Sequence, residues 1–142
     1  MMNAMLELGR EVLARQPFSG LMGAELVIFE TGRAAIELPL RAELHQQNGF
    51  AHGGVVCYLA DNALTFAGGS VMGAAVVTSE FKINYLRPAQ GERLRAEADV
   101  LRAGRSQAVV RCEIYALQGA ERILCAAAQG TITPLAAPRE RG

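Results

Sequence analysis

The chain's 142 residues suffice for a single domain with a substantial core. Fourteen basic and fourteen acidic side chains cancel, and no two basic residues are adjacent, which speaks against a nucleic-acid binder. Three cysteines, Cys57, Cys112 and Cys125, lie far apart in largely apolar surroundings with no CxxC pair, the usage of reduced, buried thiols in a cytoplasmic protein.

In chain order, Met5, Leu6, Leu8, Val12 and Leu13 fit the apolar face of a short amphipathic helix within residues 1–16. Glu7, Arg10 and Glu11 interrupt any signal-peptide core. Pro17 and a Ser19–Gly20 turn are expected to end this helix, which would pack on the outside of a sheet or on a partner subunit. Its few basic residues do not suit a membrane surface. The domain proper is expected over residues 17–134. Strands are expected at 24–30 and 33–40, joined at Thr31–Gly32, with Ala34, Ile36, Leu38 and Leu40 on the buried face. Arg41 then opens a loop that passes His45 and reaches the amides Gln46, Gln47 and Asn48.

Residues 53–67 read as a helix opened by the His52-Gly53-Gly54 turn. Its apolar residues follow no clean surface stripe, the mark of a helix packed deep inside a structure. Asp61, Asn62 and Gly68 interrupt the run, which is too short for a bilayer span. Gly68, Gly69 and Gly73 are expected to break the chain. A long strand over 74–86 follows, with Val77, Ser79, Phe81, Ile83 and Tyr85 on one side, and then strands at 94–101, 108–117 and 122–133. Residues 135–142 read as a flexible tail. One all-round apolar helix among six antiparallel strands suggests an α+β fold, a sheet curled around the helix.

Asp61 is the chemically informative residue. A carboxylate in such a helix is costly unless it is paired, hydrogen-bonded or used. A structural role, bonded to Thr65 one turn on or to loop amides, stands beside a catalytic one. Gly53 and Gly54 lack a Cβ, and their amides fall among the unpaired donors at the positive end of the helix dipole, a natural site for an oxyanion. Gln46, Gln47 and Asn48 are suited to orienting a carbonyl or a water. Eight residues separate Gly53 from Asp61, roughly 12 Å along an α-helix. Oxyanion donor and attacking group must both lie about 3 Å from one carbonyl carbon. If both residues are catalytic, two copies of the chain must therefore share the site. Cys57 has no cationic neighbour in sequence that would make it a nucleophile. With only His45 and His52 available and no second acid nearby, no catalytic zinc site is expected.

The segment from Gln46 to Phe66 resembles the PaaI-like family of hotdog-fold acyl-CoA thioesterases. Gln46, His52-Gly53-Gly54 and Asp61 stand at that family's spacings, and the strand ending NYLRP resembles its third strand. The resemblance implies a hotdog fold and a homo-oligomer, either a dimer or a dimer of dimers. It implies an acyl-CoA substrate and no cofactor beyond the CoA that the substrate carries. It gives the Gly53 amide the oxyanion, and Asp61 of the neighbouring subunit the role of nucleophile or general base. Gln46 would position the carbonyl or the water, Thr65 would hold the water, and Thr78 or Ser79 would do so in other members. Gln at position 46, where many members carry Asn, leaves Gln47 and Asn48 as alternative partners. His52 would buttress the turn. Arg87, Arg102 and Arg105, the last beside Ser106, are candidate contacts for the CoA phosphates. Val56, Leu59, Phe66, Phe81 and Phe50 are candidates for lining a medium-chain or aryl acyl pocket, or simply for filling the core. Two other classes stay open: a non-catalytic acyl-CoA sensor and a hotdog enoyl-CoA hydratase.

Overall fold

The computed structural model describes residues 3–135. Helices α1 (Ala4–Ala14) and α2 (Pro17–Met22) lead into strands β1 (Glu25–Glu30) and β2 (Arg33–Pro39). A single 3-10 turn (Ala42–Leu44) precedes helix α3 (Gly53–Met72), and strands β3 (Val76–Tyr85), β4 (Arg93–Ala103), β5 (Ala108–Gln118) and β6 (Glu121–Pro134) follow. The strands form one antiparallel sheet in the order β1-β2-β4-β5-β6-β3. Alternate residues of β5, Ala108, Val110, Cys112, Ile114 and Ala116, point to the core, as period-two side chains must. Alanines 96, 98, 108, 116, 126 and 128 keep much of the inner face low, so that α3 can approach it. On α3, Leu59 and Leu64 are fully buried, each worth about 2 kcal/mol of transfer free energy. Burial, more than helix propensity, holds α3 in place.

The antiparallel sheet around a central helix is the fold the sequence predicts; three details differ. Pro17 does not end an element but begins one. Its fixed φ suits the first position of a helix, and α2 runs from it to Gly23, which closes the helix in the left-handed region at φ 72°. Helix α3 continues five residues past the expected end. Gly68 is there for contact: a Cβ at that position would lie 2.6 Å from the Ile132 side chain. Gly73, at φ 107°, is the residue that stops the helix. At twenty residues α3 does reach bilayer-spanning length, but half of it is buried within the protein. Nor is it covered on every side. Gly54, Cys57, Tyr58, Asp61, Asn62, Thr65 and Gly69 stay partly accessible, a stripe at helical spacing. Cys57 on that stripe is half-buried, whereas Cys112 and Cys125 are buried as expected.

The third difference is a β-bulge at Ser79. Thr78 pairs with Ile132 and Glu80 with Thr131, so Ser79 is an extra residue and the inward face switches at that point. Val76 and Thr78 share the inner side with Phe81 and Ile83, while Val77 and Ser79 are exposed. A strict period of two puts Val77 and Ser79 on the wrong face. The bulge is what turns Thr78 toward α3.

Helix α1 covers the β1 edge of the sheet. A Cβ on Gly9 would lie 2.6 Å from both Leu26 and Phe29, Arg10 Nε donates to the Leu26 carbonyl at 3.1 Å, and Leu13 joins the common core. The opposite edge, β3, has nothing laid along it among the described residues. Most of the expected 135–142 tail lies outside the described residues.

The outer face of the sheet carries an ionic ladder. Glu97 accepts from Arg95 Nε at 2.8 Å and from Arg122 Nη1 and Nη2 at 2.8 and 2.9 Å, and Arg95 also bonds Glu37. Burial alone would push the Glu97 carboxyl up, but Arg122 and Arg95 outweigh it and hold the group below its ordinary range. A depressed carboxyl stabilises the fold above its unfolded value, and that contribution disappears as pH falls through the folded value. Glu97→Gln is therefore expected to lower stability by about 1 kcal/mol at neutral pH. Urea melts at descending pH should show the difference from wild type closing in the acid range.

Candidate active site

Two groups of candidate side chains sit at different places on α3. The first is at its N-terminus. His52 is the N-cap, and its Nδ1 accepts the Gly54 N–H at 2.8 Å, which puts the ring proton on Nε2. The Tyr85 hydroxyl donates to the Gly53 carbonyl at 3.0 Å. Burial first, then the neighbouring Cys57, push the Tyr85 phenol up, so it stays a protonated donor. The peptide unit between Gly53 and Gly54 is thus clamped at both ends. The N–H before it, that of Gly53, has no partner among the described residues. Of the two glycine amides read as available from sequence, Gly54's is committed to His52 and Gly53's is left over.

A cleft of about 420 Å3 opens beside this amide, lined among others by Gln46, Phe50, Gly53, Val56, Tyr85 and Arg87. Gln46 is anchored in a tight loop. Its N–H donates to the Phe50 carbonyl at 2.8 Å, its carbonyl accepts from Gly49 at 3.1 Å, and its side-chain Oε1 accepts from the Asn48 N–H. Gly49 makes the turn possible at φ 83°. Gln47 and Asn48 stand exposed at the loop tip, so Gln46 is the one amide of the three that lines the cleft. His45 pairs with Ala51 across the base of that loop.

The second group centres on Asp61, two turns along α3. Thr78 Oγ1 donates to Asp61 Oδ1 at 2.6 Å, and Thr65 Oγ1 donates to the Asp61 carbonyl at 2.8 Å. The two threonine hydroxyls are 2.9 Å apart. Thr65 therefore touches the backbone of Asp61, and the side-chain partner is Thr78, which the bulge supplies. Oδ2 of Asp61 has no partner among the described residues and lies on the accessible stripe of α3. One carboxylate oxygen is anchored and the other is available for chemistry.

Within one chain the two groups do not meet. The helical rise separates Gly53 from Asp61 by roughly 12 Å. On β3, Tyr85 stands with Gly53 and Thr78 with Asp61, seven residues apart and roughly 20 Å along the strand. The arginines divide likewise. Arg87 lines the Gly53 cleft. Arg102 and Arg105 flank the β4–β5 turn, where Ala103, Ala108, Ile132 and Thr78 form one row across four strands. Ser79 is exposed at the bulge, and Phe81 packs half-buried against the core. Leu59, at 0% exposure, and Phe66, edge-on to Phe29 at 5.5 Å, are core residues rather than lining of an open pocket.

Sequence reasoning missed Tyr85 as the clamp on Gly53, and missed α2. Pro17 followed six residues later by Gly23 was a readable helix signature. The register slip at Ser79 has no such sign, since nothing in VVTSEFKI departs from a regular strand.

A long helix packed against a six-stranded antiparallel sheet, with a glycine amide free at the helix start and an anchored carboxylate two turns on, fits a hotdog thioester hydrolase. The sequence profile of the Thioesterase superfamily matches residues 48–123, and the chain belongs to that superfamily as a PaaI-like member. A thioesterase family protein from Silicibacter pomeroyi superposes with a TM-score of 0.86 at 37% identity, covering 90% of this chain and 96% of that one. The 1,4-dihydroxy-2-naphthoyl-CoA hydrolase of Listeria monocytogenes is 32% identical over 106 residues, 73% of this chain and 85% of the relative. The acyl-coenzyme A thioesterase PaaI of Escherichia coli is 32% identical over 94 residues, 66% of each chain.

Proposed function

We propose that this thioester hydrolase cleaves aryl or medium-chain acyl-CoA to the free acid and CoA, in a site built from two copies of the chain. The observation that carries the reading is the arrangement along β3. Among the described residues this strand is an uncovered sheet edge, and an unpaired edge is a template for another strand. Its start holds Thr78 and the Asp61 group, and its end holds Tyr85 and the Gly53 group. Antiparallel pairing of β3 with its own copy about a two-fold axis sets the start of one strand beside the end of the other. Asp61 of one protomer then approaches the Gly53 amide of its partner, twice per dimer.

In such a site the Gly53 N–H, at the positive end of α3, stabilises the oxyanion that forms as the thioester carbonyl is attacked. Asp61 Oδ2 attacks that carbon directly, or takes a proton from a water that does. Gln46 in the cleft orients the carbonyl or the water. Collapse of the tetrahedral intermediate expels the CoA thiolate, a good leaving group that needs no strong acid. With water as the attacking group this yields the free acid at once; with direct attack it leaves an acyl–Asp61 anhydride that a water then hydrolyses to the acid and the free carboxylate. Arg87, beside Gly53 in the cleft, is the best placed of the three arginines for the CoA phosphates. The name of the Listeria relative and the apolar surroundings of the site support the acyl-CoA class. A panel of acetyl-, octanoyl-, benzoyl- and phenylacetyl-CoA with a free-thiol readout tests it. Thiol release is expected from the aryl or octanoyl esters. Tight binding with no release across the panel, or loss of enoyl absorbance from an unsaturated ester instead, would contradict it.

A further inference from the structure

Neither the hydrolytic machinery nor the core accounts for the far border of the accessible stripe on α3, where α2 is fastened to it. Ser19 is 2% exposed, the one buried polar side chain among the described residues, and it ties three other groups together. Its hydroxyl donates to Gln16 Oε1 at 2.6 Å and accepts from Tyr58 Oη at 2.5 Å. Asn62 Nδ2 reaches Tyr58 Oη at 3.1 Å and both Ser19 Oγ and Gln16 Oε1 at 3.3 Å. A satisfied polar network at a buried seam rigidifies what it joins. What it presents is Phe18, whose ring meets Tyr58 edge-on at 5.1 Å while 56% of the residue stays exposed.

We infer that the Phe18–Tyr58 pair is the selectivity wall of the acyl site and that it favours a single aromatic ring over an aliphatic chain. The inference rests on the proposed acyl-CoA hydrolysis and names the acyl group it is built for. Tyr58 is three residues before Asp61, so the two side chains are neighbours on one face of α3. Phe18 lies one ring further out, roughly 10 Å from the carboxylate, within reach of an aryl acyl group whose carbonyl is held at Asp61. A pre-placed aromatic edge-to-face pair with an exposed third side can take another ring in the offset or T-shaped geometry aromatics prefer. The apolar residues deeper along α3, Leu59 and Phe66, are closed into the core and cannot serve.

Phe18→Leu keeps apolar bulk and removes the ring, and Phe18→Ala removes both. Both variants and wild type would be assayed on benzoyl-, phenylacetyl-, octanoyl- and acetyl-CoA, with sedimentation to follow assembly. Phe18→Leu is expected to lower kcat/KM for the two aryl esters by about ten-fold, chiefly through KM, with less than about a two-fold change for octanoyl- and acetyl-CoA. An equal loss on all four esters, no loss on any, or a loss that accompanies a changed oligomeric state would overturn the inference, the last by making Phe18 an assembly contact. Wild type that releases no thiol from any ester would instead defeat the acyl-CoA reading itself.

Discussion

Asp61→Asn is expected to lower kcat for acyl-CoA hydrolysis by about 10²–10⁴-fold, the range supplied by a positioned carboxylate acting on a water or as a nucleophile. The fold should not notice. Asn keeps an Oδ1 that accepts the Thr78 hydroxyl, now 2.6 Å from Asp61 Oδ1, and the Thr65 bond goes to the backbone carbonyl, which is untouched. What is lost is the basic, anionic character of the second oxygen. KM should stay within a few-fold of wild type, because the cleft around Gly53, Gln46 and Arg87 does not include this residue. Stopped thiol-release assays together with circular dichroism would show the split; a variant with wild-type turnover would remove Asp61 from the mechanism. After single-turnover hydrolysis in 18O-water, label in the Asp61 carboxylate would establish direct attack, since a water activated by Asp61 labels only the product acid.

The second large effect belongs to one hydrogen atom. Gly53→Pro deletes the N–H that is proposed to meet the oxyanion and leaves the rest of the turn alone. Position 53 is the first of α3, where proline is tolerated because the amide has no helical partner. His52 before it sits at φ −60° and ψ 136°, the extended conformation a residue preceding proline requires. A Cβ at position 53 meets nothing closer than the Tyr85 ring at 3.7 Å, an ordinary contact. The variant should fold and assemble as wild type does, while kcat falls by about 10²–10³-fold, the usual cost of one oxyanion donor. Gly53→Ala is the control: it fills the same space, keeps the amide, and should retain most activity. Equal activity of the proline variant would mean that the Gly53 N–H is a bystander.

The placement of the candidate residues along α3 was largely legible in the sequence. Spacing alone put a glycine amide at a helix start and a carboxylate two turns later, and the rise per residue separates them by roughly 12 Å. A long helix against six antiparallel strands was readable from the apolar run and the turn residues, though not the accessible stripe the helix keeps on one side. Three features were not. Helix α3 overran its expected end because Gly68 looks like a breaker in sequence, and only the Ile132 side chain pressed against it shows that the missing Cβ serves packing. Thr78 reaches Asp61 through a register slip at Ser79, set by pairing with β6, a partner some fifty residues away. Tyr85 clamps Gly53 across 32 residues of chain. Long-range contacts of this kind leave no periodicity to read, whereas α2, a local element with proline at its head and glycine at its foot, did leave a signal.

Whether two chains truly share each site can be measured by mixing two inactive proteins. Gly53→Pro carries an intact Asp61, and Asp61→Asn carries an intact Gly53. In a dimer of one of each, one site regains both groups and the other loses both, so a doubly tagged, purified heterodimer should show about half of wild-type turnover. If each protomer used its own Gly53 and Asp61, the heterodimer would be as dead as its parents.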